Sequence, residues 1–276
     1  MQVGVSLERA IELACAVPMA RGTEILSLDE ARGRVLAVAL SSKVDDPRFD
    51  NSGMDGFAVR ADDCNDNGAV LRIVGISQAG GASPPSISAG EACRIMTGAP
   101  IPKGADAIVI VEDTLVEGEL VTVLGPARPN YIRRRAENLA QGQEALPAGA
   151  TLDPASLALA ATMGHGEVET ITRPRIAILS TGDELVPAGS ELAEGQIHES
   201  NSHALASLVE RMGCEAIRLE AVQDSLDNLR STLDSLIDCD AIITSGGVSM
   251  GEFDLVRRIM EEEGDIHFWR MMVRPG

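Results

Sequence analysis

The sequence predicts an α/β plus β protein. Its parts are a parallel, doubly wound α/β domain over residues 173–276, a small mainly-β domain inserted over 44–135, and a helical domain made of 1–43 and 136–172. Three observations predict this. Beyond residue 174, apolar strand runs alternate with helical segments in a βαβαβαβ order, which right-handed crossovers fold into a parallel sheet. Between about Val44 and Arg135, short β-prone runs are punctuated by Gly, Pro, Asn and Asp, the texture of strands held by turns. Helical patterns stand on both sides of that stretch, so the β-rich part reads as an insert. A length of 276 residues suits more than one domain.

Each element has a local reason. Leu7, Ala10, Ile11, Ala14 and Val17 fall on one face of a helix over 6–17, closed by Pro18. Ser27-Leu28-Asp29-Glu30 has the spacing of a capping box, a second helix-start signal. Val70–Ile76, Ala107–Val111 and Leu120–Leu124 read as strands of the insert. Asp153-Pro154 is an N-cap followed by proline at the first helical position, and Gly164 stands where a C-cap belongs. After Arg173-Pro174 come a buried-strand run from Arg175 to Thr181, a helix over Asn201–Met212 ended by Gly213, and a strand over Ala216–Val222. A helix over Leu226–Ile237, a strand over Ala241–Thr244, a helix over Asp254–Glu263 and a fourth strand within Ile266–Val273 complete the order.

Composition narrows the function. Hydrophobic residues make up 45% and charged residues 24%, an ordinary globular balance, and with only 2% aromatic residues the cores must be aliphatic. A formal charge of −19 repels nucleic acid and anionic membranes, whose recognition needs a basic footprint. The five cysteines lack C-x-x-C spacing, which fits neither a zinc site nor a disulfide framework and points to reduced thiols. Charges stand near the N-terminus where a signal peptide needs an apolar run, and no stretch approaches the roughly 18 apolar residues of a membrane helix. A soluble, cytoplasmic protein is expected.

Ligands of open α/β sheets bind beyond the carboxyl ends of the strands. Those ends read Thr181-Gly182-Asp183-Glu184, Gln223-Asp224-Ser225, Ser245-Gly246-Gly247-Val248-Ser249 through to Asp254, and Arg274-Pro275-Gly276. A Ser-Gly-Gly loop ahead of a helix suits an oxyanion, because glycines let backbone N–H groups approach and the helix points its positive end at the charge. A lone Gly-Gly pair is more often just a tight turn, but four convergent polar strand ends favour a ligand. Carboxylates beside an anion need a cation between them, and Asp183, Glu184, Asp224 and Asp254 offer the hard oxygens that Mg²⁺ takes.

The first half carries Phe49-Asp50-Asn51-Ser52-Gly53-Met54-Asp55-Gly56-Phe57, a turn-rich approach to a strand. Arg94-Ile95-Met96-Thr97-Gly98 ends a strand in a loop able to contact an oxyanion. Arg133, Arg134 and Arg135 gather three guanidiniums in an acidic chain. A solvated charge run is the ordinary account of such a cluster, and phosphate or molybdate capture is the alternative. His165, His198, His203 and His267 show no ligand spacing and read as structural.

The segments FDNSGMDGFAVR, RIMTGAPIPKGADAIV, the arginine run, ILSTGDEL, SGGVSMGEFD and the final RPG together resemble the molybdopterin molybdenumtransferase family, which includes the large domain of gephyrin-like proteins. They stand in family order along nearly the whole chain. The resemblance implies a homodimer with an elongated, discontinuous helical domain, an inserted β-domain and a molybdopterin-binding α/β domain, with a site that lies between domains and uses both subunits. It implies Mg²⁺-dependent hydrolysis of adenylyl-molybdopterin with insertion of molybdate into the dithiolene. By motif match, Asp55, Thr97, Glu184, Asp224 and Asp254 take the catalytic positions. Asp183, Glu184 and Asp254 would hold metal and substrate phosphate. Thr181, Gly182, Ser245, Gly246, Gly247, Ser249, Arg133, Arg134, Arg135 and Arg274 would bind substrate. A molybdopterin adenylyltransferase is the partner it implies.

The sequence departs from the family pattern in three places. Ala136-Glu137-Asn138 stands where Gly-Glu-Asp is usual, which removes one carboxylate. Arg270 and Arg274 stand where lysines are common, keeping charge but changing donor geometry. The chain stops at Gly276, whereas the family continues through the α/β domain into a C-terminal β-barrel, so an incomplete α/β domain is expected. A pyrophosphate-bond hydrolase of the competence-damage-protein type and a non-catalytic pterin-binding module are the competing readings.

Overall fold

The structure is a computed structural model and describes residues 2–17, 21–65, 68–220, 225–246 and 255–273. Its contacts divide the chain into two compact units, Met1–Glu24 with Thr170–Gly276, and Ile25–Glu169. Pro18 and the segments 221–224, 247–254 and 274–276 lie outside the described residues.

The chain opens with β1 (Gln2–Val5) and α1 (Leu7–Cys15). Ser6 caps α1 by accepting a hydrogen bond from the Arg9 amide at 3.2 Å. Ala10 is buried, whereas Leu7 and Ile11 of the same expected face remain exposed.

The unit 25–169 is built on a mixed sheet of β2 (Gly56–Val59), β3 (Ala69–Ser77), β4 (Glu91–Ile95), β5 (Ala107–Ile110), β6 (Thr114–Glu117) and β7 (Leu120–Val123). The strand order is β5-β2-β4-β3-β7-β6, antiparallel throughout except between β3 and β4. Both faces of β2 are covered. Phe57 and Val59 join Leu71, Val109, Val121 and Val123 in one cluster, and Ala58 joins Ile95, Ala99, Ile108 and Ile132 in another. A third cluster, of Ala31, Leu36, Leu40, Leu152, Ala160 and Val168, joins the stretches on either side of the β-rich part.

Those flanking stretches are less helical than the sequence predicts. The Ser27–Glu30 box forms its bonds, Ser27 donating to Glu30 Oε2 from Oγ at 2.6 Å and from its amide at 3.2 Å. It closes a turn instead of starting a helix, because long-range pairing claims the backbone that follows. The amides of Gly33 and Leu36 donate to the carbonyls of Leu152 and Ala150, and Leu152 returns a bond to Arg34. Among the described residues the α-helix of this unit is α2 (Pro154–Thr162), capped by Asp153, which accepts from the Ser156 amide at 2.7 Å. It ends where expected, with Gly164 at φ +89° and the His165 amide donating to the Ala160 carbonyl.

In the other unit follow β8 (Arg175–Ser180), α3 (Asn201–Arg211), β9 (Glu215–Arg218), α4 (Leu226–Ser235), β10 (Ala241–Ser245), α5 (Leu255–Glu263) and β11 (Phe268–Met271). β8 is central in a parallel sheet of order β9-β8-β10, with Ile176 opposite Ala241 and Ser180 opposite Ser245. Leu179 packs with Leu229 of α4 and with Val256 and Ile259 of α5. Ser180, on the other face, bonds to Glu199 just ahead of α3, so helices cover both faces. The expected fourth strand forms but does not join this sheet among the described residues. β11 pairs in parallel with β1, Gln2 opposite Phe268 and Val5 opposite Met271. Among the described residues no helix is long and apolar enough to cross a membrane. All five cysteines are free, and burial pushes the Cys64 and Cys93 thiols up to about 11.

Candidate functional site

The connection leaving β8 runs through α3 on one face of the sheet, and the helix that follows β10 lies on the other. In open parallel sheets, the place where successive helices change faces is where ligands bind beyond the carboxyl ends of the strands, and here that place is between β8 and β10. The backbones there lie close: the Thr181 amide donates to the Ser245 carbonyl at 3.0 Å. Gly246, at φ +95°, is required at this approach, since a Cβ on it would stand 2.4 Å from the Thr181 carbonyl oxygen. The Thr181 hydroxyl is buried and has no hydrogen-bond partner among the described residues. On the opposite face Ser245 Oγ accepts from Asn201 Nδ2 at 2.9 Å.

Asp183 and Glu184 follow on the surface of the same loop. The Glu184 carboxylate folds back over Gly182, whose Cβ, if present, would lie 2.7 Å from Glu184 Oε2. The strand ends thus place hydroxyl donors and two exposed carboxylates within one loop pair. Among the described residues no three His, Cys, Asp or Glu side chains gather in a metal-holding group. Asp224, Gly247, Ser249, Asp254 and Arg274 lie outside the described residues.

The motifs of the first half converge within their own unit. Asn51–Ser52 pairs with Ile132–Arg133, and the Gly98 amide donates to the Ser52 carbonyl, which ties three separate segments together. Asp55 Oδ1 accepts from the Thr97 amide at 2.7 Å and from its hydroxyl at 3.0 Å. The amide bond, then the hydroxyl bond, holds the exposed Asp55 carboxyl below the usual carboxylate range. The arginine run has carboxylate partners throughout. Arg133 pairs with Glu137 at 3.2 Å, Arg134 with Asp50 at 2.7 Å and Arg135 with Asp45 at 2.5 Å. Asn138, where the family pattern has an acid, donates to Asp46 at 2.8 Å.

Several polar residues of the α/β unit escaped the sequence reading. Glu199 is buried and accepts from Ser180 Oγ at 3.0 Å, the Ser202 amide at 2.7 Å and the Ser202 hydroxyl at 2.5 Å. Burial pushes its carboxyl up, but those bonds and the nearby His203 outweigh it and leave it lowered. An acid three residues before Ser202 at a helix start was the available signal. Beside it lies a cavity of about 390 Å³, lined among others by Leu185, His203, Arg218 and Glu220. His203, read as structural, borders this cavity with its Nε2 3.2 Å from Arg218 Nη1.

Comparison with known proteins follows the same two parts. Residues 5–164 match the family described as "MoeA N-terminal region (domain I and II)", and residues 177–276 match "Probable molybdopterin binding domain". The chain belongs to the MoeA family. Its relatives include molybdopterin molybdenumtransferases from Haemophilus influenzae, 38% identical over 94% of this chain and 65% of that one, and from a Nostoc species, 40% identical over 92% and 60%. The chain thus spans about 60 to 65% of the length of these curated relatives. A crystal structure of a molybdopterin biosynthesis MoeA protein from Pyrococcus horikoshii superposes with a TM-score of 0.82, 29% identical and covering 99% of this chain and 70% of that one. The family match over residues 5–164 includes the Asp55 and Thr97 motifs, which the competing hydrolase reading leaves unexplained.

Proposed function

We propose that this chain carries out molybdopterin molybdenumtransferase chemistry: Mg²⁺-dependent hydrolysis of adenylyl-molybdopterin, releasing AMP, with insertion of molybdate into the dithiolene. Membership of the MoeA family supports the reaction class. The observation that carries the assignment to a site is the buried Thr181 hydroxyl at the carboxyl ends of β8 and β10, which has no hydrogen-bond partner among the described residues. Such a group suits a ligand oxyanion, and Gly182, Ser245 and Gly246 surround the same strand ends. Gly247, Ser249 and Arg274 are assigned to substrate on the motif match alone.

The donor chemistry of the loop fits Mg²⁺, which typically takes one or two carboxylates and fills its shell with water and phosphate oxygen. Asp183 and Glu184 would hold it, with Asp254 assigned by motif. When bound, the ion would neutralise charge developing on the phosphoanhydride oxygens. The chain's own residues then do the rest. Thr181 and Ser245 donate to the phosphate and fix its orientation, and Glu184, Asp224 and Asp254 are assigned to the hydrolytic step, the last two on the motif match alone. Asp55 and Thr97, joined by two hydrogen bonds, are assigned catalytic roles on the motif match, and the arginine run is assigned to substrate binding. Because each guanidinium already has a carboxylate partner, the run offers its remaining N–H donors, not free charge.

For the three-part division at residues 44, 136 and 173, the separate apolar clusters favour the inserted β-rich part, whereas residues 1–24 group with the α/β unit and not with the rest of the proposed 1–43 helical domain. A homodimer, and a molybdopterin adenylyltransferase that hands over the adenylylated substrate, are proposed from the family. A cytoplasmic location is supported by five free thiols. The test is release of AMP from adenylyl-molybdopterin with and without Mg²⁺ and molybdate. Release should depend on both ions and fall about a hundredfold or more in Glu184→Ala, the scale of losing an acid–base or ion-holding carboxylate. Tight molybdopterin binding without release would move the assignment to a pterin-binding module.

A further inference from the structure

Helix α3 begins with a side chain that no motif marks. Asn201, its first residue, donates from Nδ2 to Ser245 Oγ at 2.9 Å, joining the helix start to the end of β10. A serine hydroxyl has one hydrogen and two lone pairs. The amide N–H occupies a lone pair, so the hydroxyl hydrogen stays available to a ligand. A second, independent group at the same strand ends has the same property. Thr181 Oγ1 is buried and unpartnered among the described residues, one step past Ser180, the register partner of Ser245. Ser245 faces α3 and Thr181 the opposite side, so the two hydroxyls stand on either side of the adjoining strand ends. Buried hydroxyls are rarely left unpaired in folded proteins, which marks this one as a candidate ligand donor.

We infer that Asn201 is a positioning residue: it sets the polarity of Ser245 so that Ser245 and Thr181 both donate to a phosphate-type oxyanion at the carboxyl ends of β8 and β10. This rests on the proposed site and adds to it a residue acting through another. The carboxylates of the Gly182–Leu185 loop cannot perform this task, being acceptors only. Asn201 supplies the N–H that keeps the serine hydrogen pointed outward.

The test is equilibrium titration of the full chain with molybdopterin, whose phosphate monoester is the oxyanion in question. Ser245→Ala should weaken binding about tenfold, the scale of one hydrogen bond to a charged group. Asn201→Ala should weaken it about threefold in the native background, because the serine then samples other orientations. In the Ser245→Ala background the same change should shift binding by less than about 1.5-fold, the signature of residues acting as a unit. Asn201→Asp is the sharpest variant. A carboxylate accepts from Ser245 and turns its hydrogen inward, so binding should fall at least as far as in Ser245→Ala. Its residual effect in the Ser245→Ala background measures charge repulsion alone. A purely structural role predicts native-like binding by Asn201→Asp instead, since Asp in a first helical turn is favourable to the helix, and an unchanged or raised melting temperature shows that the fold is kept.

Additive losses from Asn201→Ala and Ser245→Ala, or native-like binding by Asn201→Asp, would overturn the inference while leaving the site reading intact. Failure of the unaltered chain to bind molybdopterin would overturn both.

Discussion

Gly246→Ala is the perturbation that tests the strand-end geometry most sharply. Gly246 combines φ +95° with a carbonyl oxygen, that of Thr181, 2.4 Å from any added Cβ. The left-handed backbone alone costs an alanine about 1 kcal/mol. The contact is the larger contribution. It is with backbone held in the β8–β10 register, not with a mobile side-chain end, and relieving it means moving one strand end by several tenths of an ångström or more. Overpacking of that kind costs about 1–3 kcal/mol. The total loss is therefore about 2–4 kcal/mol for the α/β unit.

Gly213→Ala is the matched control. Its φ is +84°, and nothing lies within 4 Å of an added Cβ. It should show only the backbone contribution, about 1 kcal/mol. Urea unfolding followed by fluorescence of Trp269, the single tryptophan of the chain, reads the correct unit. Equal losses from the two variants would refute the close approach of Gly246 to Thr181, and with it the packed strand ends on which the site is built.

Other consequences can be measured separately. Glu199→Gln should cost about 1–3 kcal/mol at neutral pH, because a buried acceptor of three bonds is replaced by a group that cannot accept them all. The Glu199 carboxyl is lowered from 4.5, so its contribution is full above pH 4.5 and is lost as pH falls through the folded value. Melting curves of the native chain should thus drop more steeply below pH 4.5 than those of Glu199→Gln, and parallel curves would contradict the buried-anion reading. Asp55→Ala should change stability by less than about 1 kcal/mol, since the carboxylate is exposed. Release of AMP should nevertheless fall about a hundredfold if Asp55 acts on substrate. An unchanged rate would reduce the Asp55–Thr97 pair to a loop brace.

What was legible in the sequence was local. The run Arg175–Thr181 and the periodic segment ended by Gly213 announced β8 and α3, because burial on both faces and a 3.6-residue stripe leave direct marks on composition. Asp153-Pro154 likewise announced α2. What failed depended on long-range partners. Gln2–Val5 is too short to signal a strand, and nothing nearby tells that it pairs with Phe268–Met271. The Ser27–Glu30 box formed its bonds yet began no helix, because Leu152 and Ala150 claimed the backbone beyond it.

The site follows the same division. The strand-end position of Thr181, Gly182, Ser245 and Gly246 was legible in the sequence, and their assignment to a site is a proposal. The convergence of the Asp55 and Thr97 segments came through resemblance to a family, because two loops distant in sequence give no mutual sign. Glu199 reads as an ordinary surface acid until packing buries it between Ser180 and Ser202. The pairing of Arg134 and Arg135 with Asp50 and Asp45 was equally hidden, since those acids lie far earlier in the chain.

The most direct test of the central claim is a paired measurement on Thr181→Val: melting temperature without ligand, and affinity for molybdopterin. Valine keeps the shape of threonine and removes a buried hydroxyl that has no partner among the described residues. If that hydroxyl is reserved for a ligand oxyanion, the variant should melt at the same temperature or higher, because an unpaired buried group costs about 1–3 kcal/mol. Its affinity for molybdopterin should fall about tenfold or more. A lowered melting temperature with unchanged affinity would contradict the account, showing that the hydroxyl serves the fold and that the carboxyl ends of β8 and β10 are not where the phosphate binds.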